Sequence, residues 1–202
     1  LVASFSEHLH LVYHADPDLS ACASLEHLSC SVETPYCAFL GDDDFLCTAG
    51  LDRCMTFLGE HPEYGAAHGK GLIFQTEHNH PYGAIGNVTS YPQAVLNADT
   101  GSERLKELFT LGSGALLYAV HRTETWRAMF RGLTQMRGVQ NHNVFKDELI
   151  ATCVSVIRGK VKELEGLYLI RHVHTEDSYR FPHVYEWLTD PEWFPSYQIF
   201  HD

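Results

Sequence analysis

Asp42, Asp43 and Asp44 follow directly on a short apolar run, residues 36–40, that Pro35 opens and Gly41 closes. That run reads as a buried strand, so the carboxylates fall where it leaves the sheet. If the backbone stays extended through them, Asp42 and Asp44 share one side and Asp43 points away. Like charges held so close repel, and a hard divalent cation relieves the repulsion. Mg²⁺ or Mn²⁺ on one or two carboxylates, completed by substrate phosphates and water, is the expected arrangement. The carboxyl end of a strand in an open α/β sheet is also where ligands bind. The structural alternative is a solvated acidic turn ahead of a helix that starts near Thr48.

Further groups have chemistry open to them. Asp147 and Glu148 stand at the head of the strongest helical pattern, residues 147–158. One of them can serve as a general base beside a reacting carbon. Equally, both can be favourable charges on the helix dipole, worth about 0.3–1 kcal/mol each. His172 and His174 flank Val173 at the end of an expected strand and so share a side; a histidine there can complete a metal shell that carboxylates begin. His78 and His80 repeat the spacing. Together with Asp42 and Asp44 they would suit a His/Asp metallohydrolase, but no H-E-x-x-H signature is present, nor a G-x-S-x-G elbow. Trp187, Trp193, Phe194 and Tyr197 could stack on a sugar ring or dock the tail on the domain.

The elements that must carry these groups alternate. A strand is expected at 9–13 and a helix over 19–31, with Leu19, Cys22, Leu25 and Leu28 on one face. After the acidic triplet comes a helix over 48–58, ended by Gly59 and Pro62, then a strand over 66–75. Gly69-Lys70-Gly71 inside that strand lacks the spacing of a phosphate loop. Residues 76–100 read as a long loop and 102–109 as a short helix. An apolar run at 115–120 precedes a helix that Thr123 caps. Residues 138–146 are loop-like, 147–158 a helix that Gly159 stops, 168–173 a last strand, and 178–202 an aromatic acidic tail. Strands alternating with helices predict an α/β fold on a mostly parallel sheet. The chain is read as a single domain, 1–202, with its core at 31–175 and the tail at 176–202.

Composition limits the partners. The 202 residues carry a formal net charge of −12, with 45% hydrophobic and 20% charged residues. A nucleic-acid face or a polybasic membrane helix needs Lys/Arg clusters, and none occurs. No stretch approaches the ~20 apolar residues of a spanning helix. Six cysteines lie scattered without a C-x-x-C pair, as core thiols in a reducing, cytoplasmic compartment would. No signal peptide is visible, and Leu1 is not an initiator methionine, so the chain is expected to start partway through a longer protein.

Thr34-Pro35-Tyr36, Gly41-Asp42-Asp43-Asp44-Phe45, Cys54-Met55-Thr56-Phe57-Leu58 and His61-Pro62-Glu63-Tyr64 occur in that order. With Asp147-Glu148-Leu149 and Leu167-Tyr168-Leu169-Ile170-Arg171, the set resembles a GT-A-fold glycosyltransferase of a family 2-like branch. The resemblance runs from about Val32 to His174. It implies a Rossmann-like GT-A sheet flanked by helices and a hexosyltransferase-like, metal-dependent transfer. A sugar would pass from a nucleotide-diphosphate donor to an acceptor hydroxyl on a glycan, a lipid or a small molecule. By the same resemblance Asp42 and Asp44 hold Mn²⁺ or Mg²⁺ against the donor, and Asp43 meets the ribose or sugar. Asp147 or Glu148 deprotonates the acceptor, and His174, or His172, supplies a C-terminal metal ligand. The one departure is that no nucleotide-gripping strand and turn precede Val32, as if the first βαβ portion were missing or the base held differently. With one base and no evident nucleophile, inversion is expected. The alternative within the same resemblance is a sugar-nucleotide-binding module without turnover.

Overall fold

A computed structural model of the chain describes residues 12–14, 18–77, 83–111, 116–133, 148–173 and 184–201. Helix α1 (Ala21–Ser31) begins where the Ser20 hydroxyl accepts a hydrogen bond from the Ala23 N–H at 3.3 Å, a side-chain N-cap. It is followed by β1 (Tyr36–Ala38), β2 (Phe45–Leu46), α2 (Thr48–Glu60), β3 (Tyr64–Thr76) and β4 (Ile85–Tyr91). Next come α3 (Gly101–Leu111), a 3₁₀ turn (Leu116–Tyr118), β5 (Val120–Arg122), α4 (Thr123–Phe130) and α5 (Ala151–Arg158). The long strand β6 (Lys160–His172) and the short helices α6 (Val184–Thr189) and α7 (Phe194–His201) complete the order. Among the described residues no helix is long and apolar enough to cross a membrane.

The fold is α/β, but its sheet is mixed rather than mostly parallel. The strand order is β1-β5-β3-β6-β2, with β4 beside the second half of β3 on the edge whose first half pairs with β5. Only β3 and β6 pair in parallel; the β1–β5, β5–β3, β3–β4 and β6–β2 pairings are antiparallel. The physical reason is instructive. Strands β1, β3 and β6 do run the same way, as strands separated by helices should. The short strands β5, β4 and β2 then fill the places beside them in reverse. None of the three is delimited by the sequence, and β2 has no counterpart among the expected elements. Strand β4, Ile-Gly-Asn-Val-Thr-Ser-Tyr, lies within the expected 76–100 loop and is exposed along most of its length, so it shows no apolar alternation. The run at 115–120 forms a 3₁₀ turn, and β5 starts only at its last residue. Strand β6 begins at Lys160, eight residues before the expected 168, because its first half carries charged side chains beside the buried Val161.

Gly69-Lys70-Gly71 lies in the middle of β3, so it forms no phosphate loop. A Cβ on Gly69 would stand 2.7 Å from both Gly166 O and Tyr168 Cβ. Close strand approach, not ligand binding, is what this glycine serves. The Gly159 stop works similarly: its Cβ would lie 2.6 Å from Gly65 Cα, where β3 and β6 begin to pair.

Helices cover the sheet and close three apolar clusters. Cys54 and Leu58 of α2 pack with Ala67, Tyr168 and Leu169 of β3 and β6. Leu108 of α3 and Val156 of α5 pack with Ala66 and Val161. Trp126, Met129 and Phe130 of α4 meet Cys22 of α1 and Ala151 of α5. Between sheet and helices, His121 is fully buried, its Nε2 2.8 Å from Leu116 O and its Nδ1 3.4 Å from Ser155 Oγ. A neutral ring with Nε2–H donating and Nδ1 accepting satisfies both partners. Burial, aided by nearby His68 and opposed by the Leu116 carbonyl, pushes its pKa down from 6.5 to about 4.

A pH dependence follows. The unfolded chain takes a proton on this ring near pH 6.5, the folded chain only near 4. Stability is therefore whole above 6.5 and falls with pH through that window, by on the order of 3 kcal/mol in total. Urea unfolding between pH 7 and 4 should show the decline, and His121→Gln, which cannot take the proton, should flatten that part of it. An unchanged slope in the variant would exclude His121 as its source.

Candidate active site

The acidic triplet does not continue the strand. The Asp44 N–H donates to Gly41 O at 3.3 Å, closing a reverse turn over 41–44. The expected alternation of Asp42 and Asp44 is thereby replaced. Asp42 is exposed, Asp43 half-buried, and the Asp44 side chain only 1% exposed. A Cβ on Gly41 would lie 3.1 Å from both Asp43 Oδ1 and Asp44 Oδ2, so these two oxygens stand no farther apart than twice that distance. The turn thus sets a carboxylate oxygen of both Asp43 and Asp44 beside Gly41, because a turn, unlike a strand, can bring successive side chains to one side.

The end of β6 holds Asp44 in place. Arg171 Nε donates to Asp44 Oδ2 at 3.3 Å and the His172 N–H to Asp44 Oδ1 at 3.2 Å. The Tyr118 hydroxyl reaches the same carboxylate. The Arg171 guanidinium sits 4.4 Å from the centroid of the Tyr118 ring and 5.2 Å from that of Tyr91. It also lies within hydrogen-bonding reach of the Tyr91 hydroxyl. Burial raises the pKa of both phenols, with Arg171 opposing, so they remain protonated donors. A carboxylate offers about four lone-pair positions, so these donors leave Asp44 capacity for a further partner.

Glu148 joins this group from a helical turn just ahead of α5. Its charge acts on Tyr91 together with that of Asp44, both holding the phenol's pKa up. Leu149, the next residue, packs with Trp187, Trp193 and Tyr197. The aromatic tail thus docks on the domain at Leu149, and Trp187 is buried there.

Of the other expected site residues, Asp147 and His174 lie outside the described residues, as do His78 and His80. His172 is described. Its ring stacks on Phe74 at 4.4 Å, with planes 2° apart. Since neighbouring residues on a strand face opposite ways, that ring leaves the face where Arg171 meets Asp44. Among the described residues no group of three or more His, Cys, Asp or Glu side chains is placed to hold a metal. The Asp43–Asp44 pair still suits Mg²⁺ or Mn²⁺, which are bound through one or two carboxylates plus substrate phosphates rather than in an all-protein cage.

Arg171, Tyr91 and Tyr118 are the residues the sequence reading passed over. Arg171 was the one with a signal: a lone cation in an otherwise apolar strand, Leu-Ile-Arg-His, needs a buried partner. Tyr91 and Tyr118 end elements that local periodicity did not delimit. A scan against protein-family models finds no match for the chain, and a search of curated proteins finds none.

Proposed function

We propose that the chain is a metal-assisted glycosyltransferase of GT-A type, moving a sugar from a nucleotide-diphosphate donor to an acceptor hydroxyl with inversion. The observation that carries this reading is the acidic turn after β1: Asp43 and Asp44 each set a carboxylate oxygen beside Gly41, and Asp44 is locked by Arg171 and the His172 N–H. Asp43 and Asp44 would hold Mg²⁺ or Mn²⁺ against the donor diphosphate, with Asp42 on the exposed side of the turn. A bound cation supplies Lewis-acid stabilisation of the departing nucleoside diphosphate. The rest falls to the chain itself. Arg171, oriented between Tyr91 and Tyr118, offers a fixed positive charge near the leaving phosphates and needs no reorganisation as their charge grows. Glu148, or the adjacent Asp147, accepts the acceptor's hydroxyl proton while the oxygen attacks in line with the leaving group. The tail helices brace the turn that carries Glu148 through Leu149.

The test is turnover of a panel of UDP- and GDP-sugars with simple glycoside and lipid-alcohol acceptors, with Mn²⁺ and with chelator. Glu148→Gln should lower kcat by about 10²–10⁴-fold. Donor Kd, measured by calorimetry, should stay within about twofold, because a base acts on the transition state. Unchanged turnover in this variant, with loss in Asp147→Asn, would move the base to Asp147. Metal-dependent donor binding without product in any condition would favour a binding module, and no donor binding at all would end the proposal.

A further inference from the structure

Residues 148–150 join parts of the molecule that are otherwise packed separately. They form a π-helical turn ahead of α5, and neighbouring side chains on a helical turn leave in different directions. Glu148 acts on Tyr91, as Asp44 does. Leu149 packs in the aromatic cluster of the tail, with Trp187, Trp193, Tyr197, Ile199 and Phe200. Ile150 packs against the core cluster of Trp126, Met129 and Phe130. Short π-helical turns of this kind are frequent at functional sites.

The tail has an apolar cluster of its own, centred on the buried Trp187. Helices α6 and α7 pack chiefly on each other. Besides Leu149, the body meets the tail in an edge-to-face pair, Phe109 of α3 with Phe200, whose centroids are 6.2 Å apart. The Asp44 group is built on different clusters. Tyr91 and Tyr118 pack with Tyr168 and Leu169, and Phe39, ahead of the acidic turn, packs with the α4 cluster. Of that site, Glu148 is the member whose chain neighbour the tail holds.

We infer that the tail is a latch on the general base: docked over Leu149, α6 and α7 keep Glu148 in the site, and undocked they release it while the Asp44 group stays in place. The inference deepens the glycosyltransferase reading and rests on it for the role of Glu148. Leu149 is the positioning residue of this device, since it touches the tail and acts through its neighbour. Satellite clusters with little buried contact open at a lower free energy than the whole fold, so the tail can undock while the sheet stays closed. The latch controls chemistry without controlling donor affinity, because a base acts on the transition state while cation and phosphates are already held in the ground state.

The experiment uses the full chain and its Trp187→Ala, Leu149→Ala and Leu149→Met variants. Amide hydrogen exchange of the ligand-free proteins comes first. In both alanine variants the amides of 148–150 and 184–201 should exchange faster together, by about tenfold or more, with those of β3 and β6 unchanged. Leu149→Met, which keeps the side-chain volume, should exchange like the wild type. Turnover with Mn²⁺ and UDP- or GDP-sugars comes second. The alanine variants should lose about tenfold or more in kcat while donor Kd, by calorimetry, stays within about twofold, and Leu149→Met should keep kcat. Unchanged exchange at 148–150 in Trp187→Ala would overturn the inference. So would faster exchange throughout β3 and β6, or a loss of donor affinity as large as the loss of kcat, since the tail would then support the whole site. If 148–150 loosens with the tail but kcat is unaltered in an active enzyme, this inference alone fails. If the wild type binds no donor, the glycosyltransferase reading fails with it.

Discussion

Asp44→Asn should abolish metal-dependent donor binding, weakening it by about 10²-fold or more, and should also destabilise the fold by about 2–3 kcal/mol. The two effects have one cause. The Asp44 side chain is 1% exposed and accepts from Arg171 and the His172 N–H on the terminal turn of β6. Asparagine has one acceptor oxygen, so it can answer one of those donors and must turn its NH₂ toward the other. Arg171 then sits between two tyrosine rings without its counter-ion. Breaking a fully buried pair costs about 3–5 kcal/mol; the Arg171 side chain is 27% exposed, and water screens part of that loss. A double-mutant cycle by urea unfolding checks the attribution. Arg171→Met should cost less in the Asp44→Asn background than in the wild type, with a coupling of about 1–3 kcal/mol. If Asp44→Asn lowers stability by under about 0.5 kcal/mol, the pair is not what holds the turn.

The largest loss of stability is expected far from this site, at Arg104. The residue is 5% exposed, and its guanidinium makes four hydrogen bonds to backbone carbonyls. Nε donates to Val156 O at 2.7 Å, Nη2 to Ile157 O at 2.9 Å, and Nη1 to Ala98 O and Asp99 O at 2.8 and 2.9 Å. Val156 and Ile157 lie in the last turn of α5, where helix carbonyls have no partner of their own and the dipole favours a cation. Ala98 and Asp99 lead into α3. One side chain therefore caps one helix and anchors the entrance to another. Arg104→Met keeps much of the packing and removes all four donors, which should cost about 3–5 kcal/mol and lower the melting temperature by about 10 °C. Arg104→Lys should fall between, since an ammonium cannot reproduce the planar fork. Activity per folded molecule should be unchanged, for Arg104 touches none of the Asp44 group. A melting temperature within about 2 °C of wild type would show that the clamp is dispensable.

These two sites show where local pattern ends. The apolar run before Asp42, the helical spacing over 147–158 and the alternation of strands with helices each report burial within a few residues. From them came the α/β class, the acidic group after β1, Glu148 at the head of α5, and the common direction of β1, β3 and β6. Strand β4 escaped because an exposed strand leaves no periodic trace, and β6 was cut short because charged side chains mask its first half. Direction was legible for β1, β3 and β6 and not for β5, which runs in reverse, and neighbour was not legible at all. Which strands share hydrogen bonds is settled by whatever fills the gaps between them, and here short reversed strands made the sheet mixed.

The site divides in the same way. The sequence by itself determined that three carboxylates stand after the first strand, because composition is local. Only the tertiary structure decided that Asp43 and Asp44 both set an oxygen beside Gly41, since a backbone hydrogen bond turned an extended run into a reverse turn. It also decided that the ring of His172 faces Phe74, and that Arg171 reaches Asp44 from 127 residues away. The tail's aromatic residues were legible as a surface to be covered; that they cover Leu149, beside Glu148, was not. Periodicity records which side of an element is buried. It carries no record of the partner, because the partner is chosen by the three-dimensional packing of segments whose separation along the chain leaves no mark on either one.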